Sequence, residues 1–277
     1  MSIQKKPALL LVSLGIIFSL LSSISAGSEA ETAKDKKTGT ITGRVIIKGS
    51  GPLTGGQVML YDARTGPPPL PDTYERVPDI SRDLDGDGRF KVELPPGIYY
   101  LGAVKRLSGE RMGAPQAGDY VFRSIDEKNR PKEYVIKAGT VLDAGNELEA
   151  IPLRPKDTST EGVTTAIQGI VFDMDGKPVE NAVVIAFVTP DLRGRPLFIS
   201  DMTGKDGKYS LRVTQGTYYL RVRNRFTSGP PEPGQIVGYY GEGTPVPVAV
   251  KEGEIKKGFD FKVILFPGRG PFSGTPP

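Results

Sequence analysis

The chain has no cysteine, no histidine and no tryptophan among its 277 residues. Without histidine and cysteine, Ser-His-Asp and Cys-His nucleophile systems, His-ligated metals, thiolate zinc sites and covalent haem attachment are excluded. Without cysteine there is no disulfide and no thiol for lipid attachment, so each folding unit must be held by core burial. Long helical periodicity is missing, and no run after residue 26 is long and apolar enough to cross a membrane. An excess of one charge is missing too. Two of the 36 Lys and Arg, Lys5 and Lys6, lie in the first 26 residues, which leaves 34 against 32 Asp and Glu. So even a balance gives no argument for nucleic acid as a partner.

What the chain does have is Gly (35) and Pro (25), the composition of short strands and many turns. At the N-terminus, Lys5 and Lys6 precede an apolar run from Ala8 to Ile24, and small residues follow at Ser25, Ala26 and Gly27. This pattern predicts a secretory signal over residues 1–26, an exported protein, and no membrane span once the signal is removed. An uncleaved anchor is the alternative reading of the same run. Residues 27–38 are small, polar and charged, and read as a flexible leader.

One stretch occurs twice. Asp85–Leu101 (DGDGRFKVELPPGIYYL) and Gly204–Leu220 (GKDGKYSLRVTQGTYYL) both read as turn, strand, turn, strand. The Asp-Gly pair supplies the positive φ of a tight hairpin turn. Alternation then sends Phe90, Val92 and Leu94, and in the second copy Tyr209, Leu211 and Val213, to one buried face. Other pieces repeat in the same order: Ile41–Val45 with Ile167–Val171, and Ile136–Gly139 with Val250–Gly253. The offset between copies shortens along the chain, as expected of surface loops on a common scaffold. The repeat predicts an all-β protein of two tandem antiparallel sandwiches, over residues 39–154 and 165–267. Residues 155–164 form a linker and 268–277 a disordered Gly/Pro tail. In the first unit, Pro67–Pro71 predicts an extended polyproline-type loop.

The second unit carries Gly169-Ile-Val171, then Asp173-Met-Asp-Gly-Lys-Pro-Val-Glu-Asn-Ala182, Thr203-Gly-Lys-Asp-Gly-Lys-Tyr209 and Gly216-Thr-Tyr218. These residues resemble the carboxypeptidase regulatory-like domain of the transthyretin-like (prealbumin-like) family. The first unit shares the Asp-Gly-x-Phe and Gly-x-Tyr elements but has Ser50–Gly56 where the family has an Asp-Gly-x-Pro turn. The resemblance implies a seven- or eight-stranded Ig-like sandwich in each unit. It says little of function, because such modules are grafted onto many proteins. Intradiol dioxygenases and hydroxyisourate hydrolases, which share the general fold, depend on histidine that this chain lacks.

Four constellations are candidates for chemistry. Asp83, Asp85 and Asp87 match the first positions of a calcium-binding loop, but Leu94 stands where a bidentate Glu is needed, and a plain Asp-Gly turn is the competing reading. No cofactor is expected other than calcium at this loop. On the strand after Gly216, alternation puts Tyr219, Arg221, Arg223 and Arg225 on the outer face, suited to anionic or planar partners, or else simply solvated. Arg212 would add a fourth cation if its strand lay alongside. Tyr239 and Tyr240 form a candidate sugar platform, with one of the two expected inside by alternation. Finally, Ala182–Val188 is apolar on both faces, so its outer side is expected to be covered, by an internal loop, the other unit or a partner.

These observations predict an exported, non-catalytic binding or structural module that engages a protein or polysaccharide at the cell envelope or beyond it. A carbohydrate-binding module is the alternative, and a carboxylate-based hydrolase the third reading.

Overall fold

The computed structural model describes residues 37–111, 113–154, 164–192, 194–224 and 231–268, and no helix occurs among them. The expected signal segment, nearly all of the expected leader, residues 155–163 of the expected linker, Arg225 and residues 269–277 of the expected tail lie outside the described residues.

The first unit is built from β1 (Gly39–Ile47), β2 (Gly51–Pro52), β3 (Gln57–Asp62), β4 (Ile80–Asp83), β5 (Arg89–Leu94), β6 (Gly97–Lys105), β7 (Tyr120–Arg123), β8 (Glu133–Ile136), β9 (Val141–Asp143) and β10 (Leu148–Pro152). The first half of β1 pairs with β5, and its second half with β10 and β2. From β10 the order continues through β7, β6 and β3 to β4. The nine-residue strand β1 thus serves both layers. Between them lie Ile41, Val45, Leu60, Phe90, Val92, Leu94, Tyr99 and Leu101.

The second unit repeats the plan with β11 (Ala166–Phe172), β12 (Val183–Phe187), β13 (Phe198–Ile199), β14 (Lys208–Arg212), β15 (Gly216–Arg223), β16 (Ile236–Tyr239), β17 (Val248–Val250), β18 (Ile255–Lys256), β19 (Phe261–Lys262) and β20 (Ile264–Leu265). β11 pairs with β14, as β1 does with β5. β12 pairs with β15 and β15 with β16, as β3 does with β6 and β6 with β7. Ile167, Val184, Tyr209, Leu211, Tyr218, Leu220, Val222 and Phe261 fill its interior. The close approach of neighbouring backbone explains one glycine: a Cβ on Gly169 would stand 2.2 Å from the carbonyl oxygen of Phe259.

The sandwiches are as the repeat predicts, with two corrections. First, the Asp-Gly turns do not close hairpins. β4 pairs with β3 while β5 pairs with β1, so the Asp85–Gly88 turn carries the chain from one layer to the other. The turn at Gly97 carries it back, because β6 pairs with β3. Alternation reveals which side of a strand is buried; it does not reveal which strand lies beside it. Second, the pairing is not purely antiparallel, since β1 runs parallel to β9 and β10, and β11 parallel to β18 and β19.

The proline-rich loop of the first unit is an arm that enters the second. Backbone bonds Ile199 N to Glu75 O (3.1 Å) and Val77 N to Leu197 O (2.9 Å) lay Glu75–Val77 antiparallel against β13. Tyr74, 4% exposed, belongs to the second unit's core. Its ring meets Phe198 edge-on at 5.1 Å, and Phe198 meets Tyr218 at 5.7 Å. Arg76 anchors the arm from below: its guanidinium donates to Asp79 Oδ2 (2.8 Å), Thr65 Oγ1 (2.9 Å), the carbonyl of Asp62 (2.7 Å) and that of Pro67. The arm therefore covers a sheet edge that would otherwise expose unpaired backbone. β13 is only two residues long, so this outside partner matters to it.

Candidate functional site

The site is the outer face of the sheet β13-β12-β15-β16-β20. Cross-strand register builds it in rows. Ile185, Arg221 and Tyr239 stand side by side on β12, β15 and β16. Val183, Arg223, Val237 and Ile264 form the next row. Phe187 stands beside Tyr219. Residues directly opposite in neighbouring strands share a face, so Tyr219, Arg221, Arg223 and Tyr239 are brought together there. The part of this face over Val183, Ile185 and Phe187 is roofed by Leu192 from the β12–β13 loop and Val77 from the arm. The doubly apolar strand is thus covered jointly, by its own unit and by the other. The open part holds the half-exposed Arg221 and Arg223 side chains of β15 and exposed Tyr239.

The two guanidiniums sit in an unusual balance. Arg221 donates to the carbonyl of Leu192 (2.6 Å) and lies 5.5 Å from the Phe187 ring centroid. Nη1 of Arg223 is buried and makes no hydrogen bond to the described residues. Desolvation pulls both below the usual arginine range, and for Arg223 the neighbouring Arg221 pulls further. Among the described residues no carboxylate offsets this for either side chain.

The remaining candidates are placed elsewhere. Tyr240 faces the interior, with ring contacts to Phe259 (5.1 Å) and Phe261 (6.1 Å). Only Tyr239 of that pair is available to a ligand. Arg212 is on the opposite sheet, because β14 pairs with β11; its guanidinium donates to the carbonyls of Asp72 (2.8 Å) and Pro71 (3.2 Å), a further tie to the arm. Arg225 lies outside the described residues.

Asp83, Asp85 and Asp87 do not converge. Asp83 accepts two bonds from Arg111 (2.7 and 2.8 Å), which holds its carboxyl below the ordinary carboxylate range. Asp85 Oδ1 accepts from the backbone N–H of Asp87 (2.9 Å) and Arg89 (2.7 Å). Asp87 instead takes part through its backbone carbonyl, which accepts from Arg44 (2.8 Å). Among the described residues no group of three or more acidic side chains is placed to hold a metal. The Asp85 turn recurs twice. Asp126 accepts from the N–H of Lys128 and Arg130, and Asp173 from that of Asp175 and Lys177. In each case the fourth residue, Gly88, Asn129 or Gly176, has positive φ. These aspartates supply the acceptor that a five-residue turn needs. Asp85→Ala and Asp173→Ala should each lower stability by about 1 kcal/mol in urea unfolding. Millimolar calcium should leave the wild-type midpoint where it is. A calcium-dependent midpoint abolished by Asp83→Asn would restore the metal reading.

No protein-family model matches the chain, and no curated protein matches it. Among solved structures it is similar to the Bacillus anthracis TIE protein, at 18% identity and TM-score 0.25 over 82% of this chain and 34% of that one. A streptococcal ancillary pilin gives 17% identity and TM-score 0.26, over 84% of this chain and 64% of that one. The minor pilin GBS52 of Streptococcus agalactiae gives 13% identity and TM-score 0.23, over 84% and 99%. The chain spans 34% of the first of these proteins and 64% of the second. Its assignment as an all-β pair of Ig-like sandwiches rests on its own sheet pairings.

Proposed function

We propose that this chain is an exported, non-catalytic binding module, and that it grips a protein partner with the outer face of β15 and β16. The observation that carries this reading is the pair Arg221 and Arg223, half-buried on one strand face with no carboxylate among the described residues offsetting their charge. A merely solvated face would let such charges extend into water or pair with neighbouring acids. Here Arg221 lies against the Phe187 ring and beside Tyr239, and Arg223 stands between Val183 and Val237, the aromatic, apolar and arginine mixture typical of protein interfaces. The lack of histidine and cysteine supports a role without covalent chemistry. The apolar run and small residues at 8–27 support export.

A polysaccharide partner is the second reading, favoured by Tyr239, which is 38% exposed beside Arg221. Capture of partners from the cell envelope by the tagged chain tests both. The variant Arg221→Ala with Arg223→Ala should weaken capture at least tenfold, as expected on removing two interface anchors. Tyr239→Ala should matter most if the captured material is saccharide. Capture indifferent to all three substitutions sinks the reading.

A further inference from the structure

We propose that the face takes an extended acidic peptide segment whose carboxylates occur at every second residue, one on Arg221 and the next on Arg223. This rests on the binding-face reading above and names the ligand chemistry for it.

The argument starts from an imbalance. A guanidinium removed from water needs an anion or a full set of acceptors. Arg221 has one carbonyl and an aromatic ring. Arg223 is half-buried, and its Nη1 finds no acceptor among the described residues. Each also repels the other, and the fold provides no acid among the described residues to offset it. An incoming carboxylate supplies two acceptor oxygens in the plane of the fork, the geometry that guanidinium prefers.

Spacing selects the ligand. Arg221 and Arg223 are two residues apart on one strand, so their Cα atoms are separated by about 6.8 Å. An extended peptide repeats its side chains on one face at that same interval. A single small anion would satisfy one fork; a strand with alternating acids satisfies both without bending. Its other side chains point to solvent, so they carry little selectivity. Tyr239 and Val237, across from Arg221 and Arg223 on β16, provide the flanking wall.

Two peptides of equal composition and charge separate register from simple charge attraction: Glu-Thr-Glu-Thr-Glu-Thr-Glu-Thr and Glu-Glu-Thr-Thr-Glu-Glu-Thr-Thr. Fluorescence anisotropy with the full chain, at ~0.15 M salt to screen long-range attraction, is the readout. The alternating peptide should bind at least tenfold more tightly. Arg221→Ala or Arg223→Ala should each remove that preference. Arg223→Lys should keep the charge yet lose much of the affinity, because an ammonium lacks the fork. Lys208→Ala, on the opposite sheet, should change nothing. Equal affinity for both peptides, tighter binding of polygalacturonate, or binding indifferent to Arg221 and Arg223 would overturn the proposal. If neither peptide binds while partner capture still depends on the two arginines, the acidic-strand inference falls and the binding face stands. If capture is indifferent as well, both fall.

Discussion

Tyr74→Ala should remove about 3–5 kcal/mol of stability from the second unit, although Tyr74 is part of the first unit's chain. The ring is 4% exposed and stands in the same core as Phe198, Tyr218 and Leu220. Its loss leaves a cavity beside the Phe198 ring, in a place where neither two-residue β13 nor the arm can readily collapse inward. β13 has only two residues, and its far side is paired to Glu75–Val77. Native-state hydrogen exchange gives the local answer: amides of β12, β13 and β15 should lose protection while those of β1 and β5 keep theirs. Tyr74→Phe is the control. It forfeits only the hydroxyl bond to the carbonyl of Pro68 (2.8 Å), about 1 kcal/mol. Burial pushes the Tyr74 hydroxyl up to about 12 from 10.0. The folded state therefore favours the neutral phenol, and this part of the stability is full below pH 10 and fades as pH rises through 12. Tyr74→Phe should flatten that alkaline decline. Equal loss of protection in both units, or a total loss under 1 kcal/mol, would mean that the ring is not the anchor it resembles.

Tyr74 also marks the limit of what could be read in the residues. The repeat was visible because both copies must bury one side of each strand, and the requirement leaves a period of two: Phe90, Val92 and Leu94 sit inside as their spacing demands. The same logic placed Tyr219, Arg221 and Arg223 on the outer face. It was silent on which strands are neighbours, a property set by contacts far apart in the chain. Hence Arg212 was open to placement beside Arg221, whereas β14 crosses to the other layer. Tyr239 and Arg221 are adjacent only through the β15–β16 register, which no local signal encodes. The arm was harder still. Pro67–Pro71 spelled an extended loop, but nothing local says that the Tyr74 beyond it belongs to another unit's core. The one hint was on the receiving side, where Ala182–Val188 is apolar in both directions and needs a cover that its own unit supplies only in part. The Asp126 turn gives no such local signal, because Asn129 takes the positive-φ position that glycine announces in its two counterparts.

Arg76→Leu should cost about 3–5 kcal/mol, the usual consequence of leaving one member of a buried ion pair alone. Arg76 is 3% exposed, and four acceptors converge on its guanidinium. Removing it strands more than Asp79. The carbonyls of Asp62 and Pro67 lose a donor as well, and the arm loses the post on which Glu75–Val77 is hung. Asp79→Ala should cost nearly as much, because Asp79 also accepts from the N–H of Asp62 (2.7 Å) and the hydroxyl of Thr65 (2.8 Å). The doubly substituted chain should be less damaged than the two losses added together, by about 1–3 kcal/mol, since the second change removes a charge that the first left unpaired. Little of this should respond to salt, because the pair is screened from solvent. The more telling consequence is at a distance. Val77, one residue beyond the post, helps to roof Val183, Ile185 and Phe187, on the sheet face that carries Arg221. If the arm swings away, that roof opens and Phe187 no longer has fixed company beneath the Arg221 guanidinium. Arg76→Leu should therefore weaken partner capture under conditions where the chain is still folded. Capture at wild-type strength in a folded Arg76→Leu chain would show that the arm stabilises the second unit without shaping its binding face.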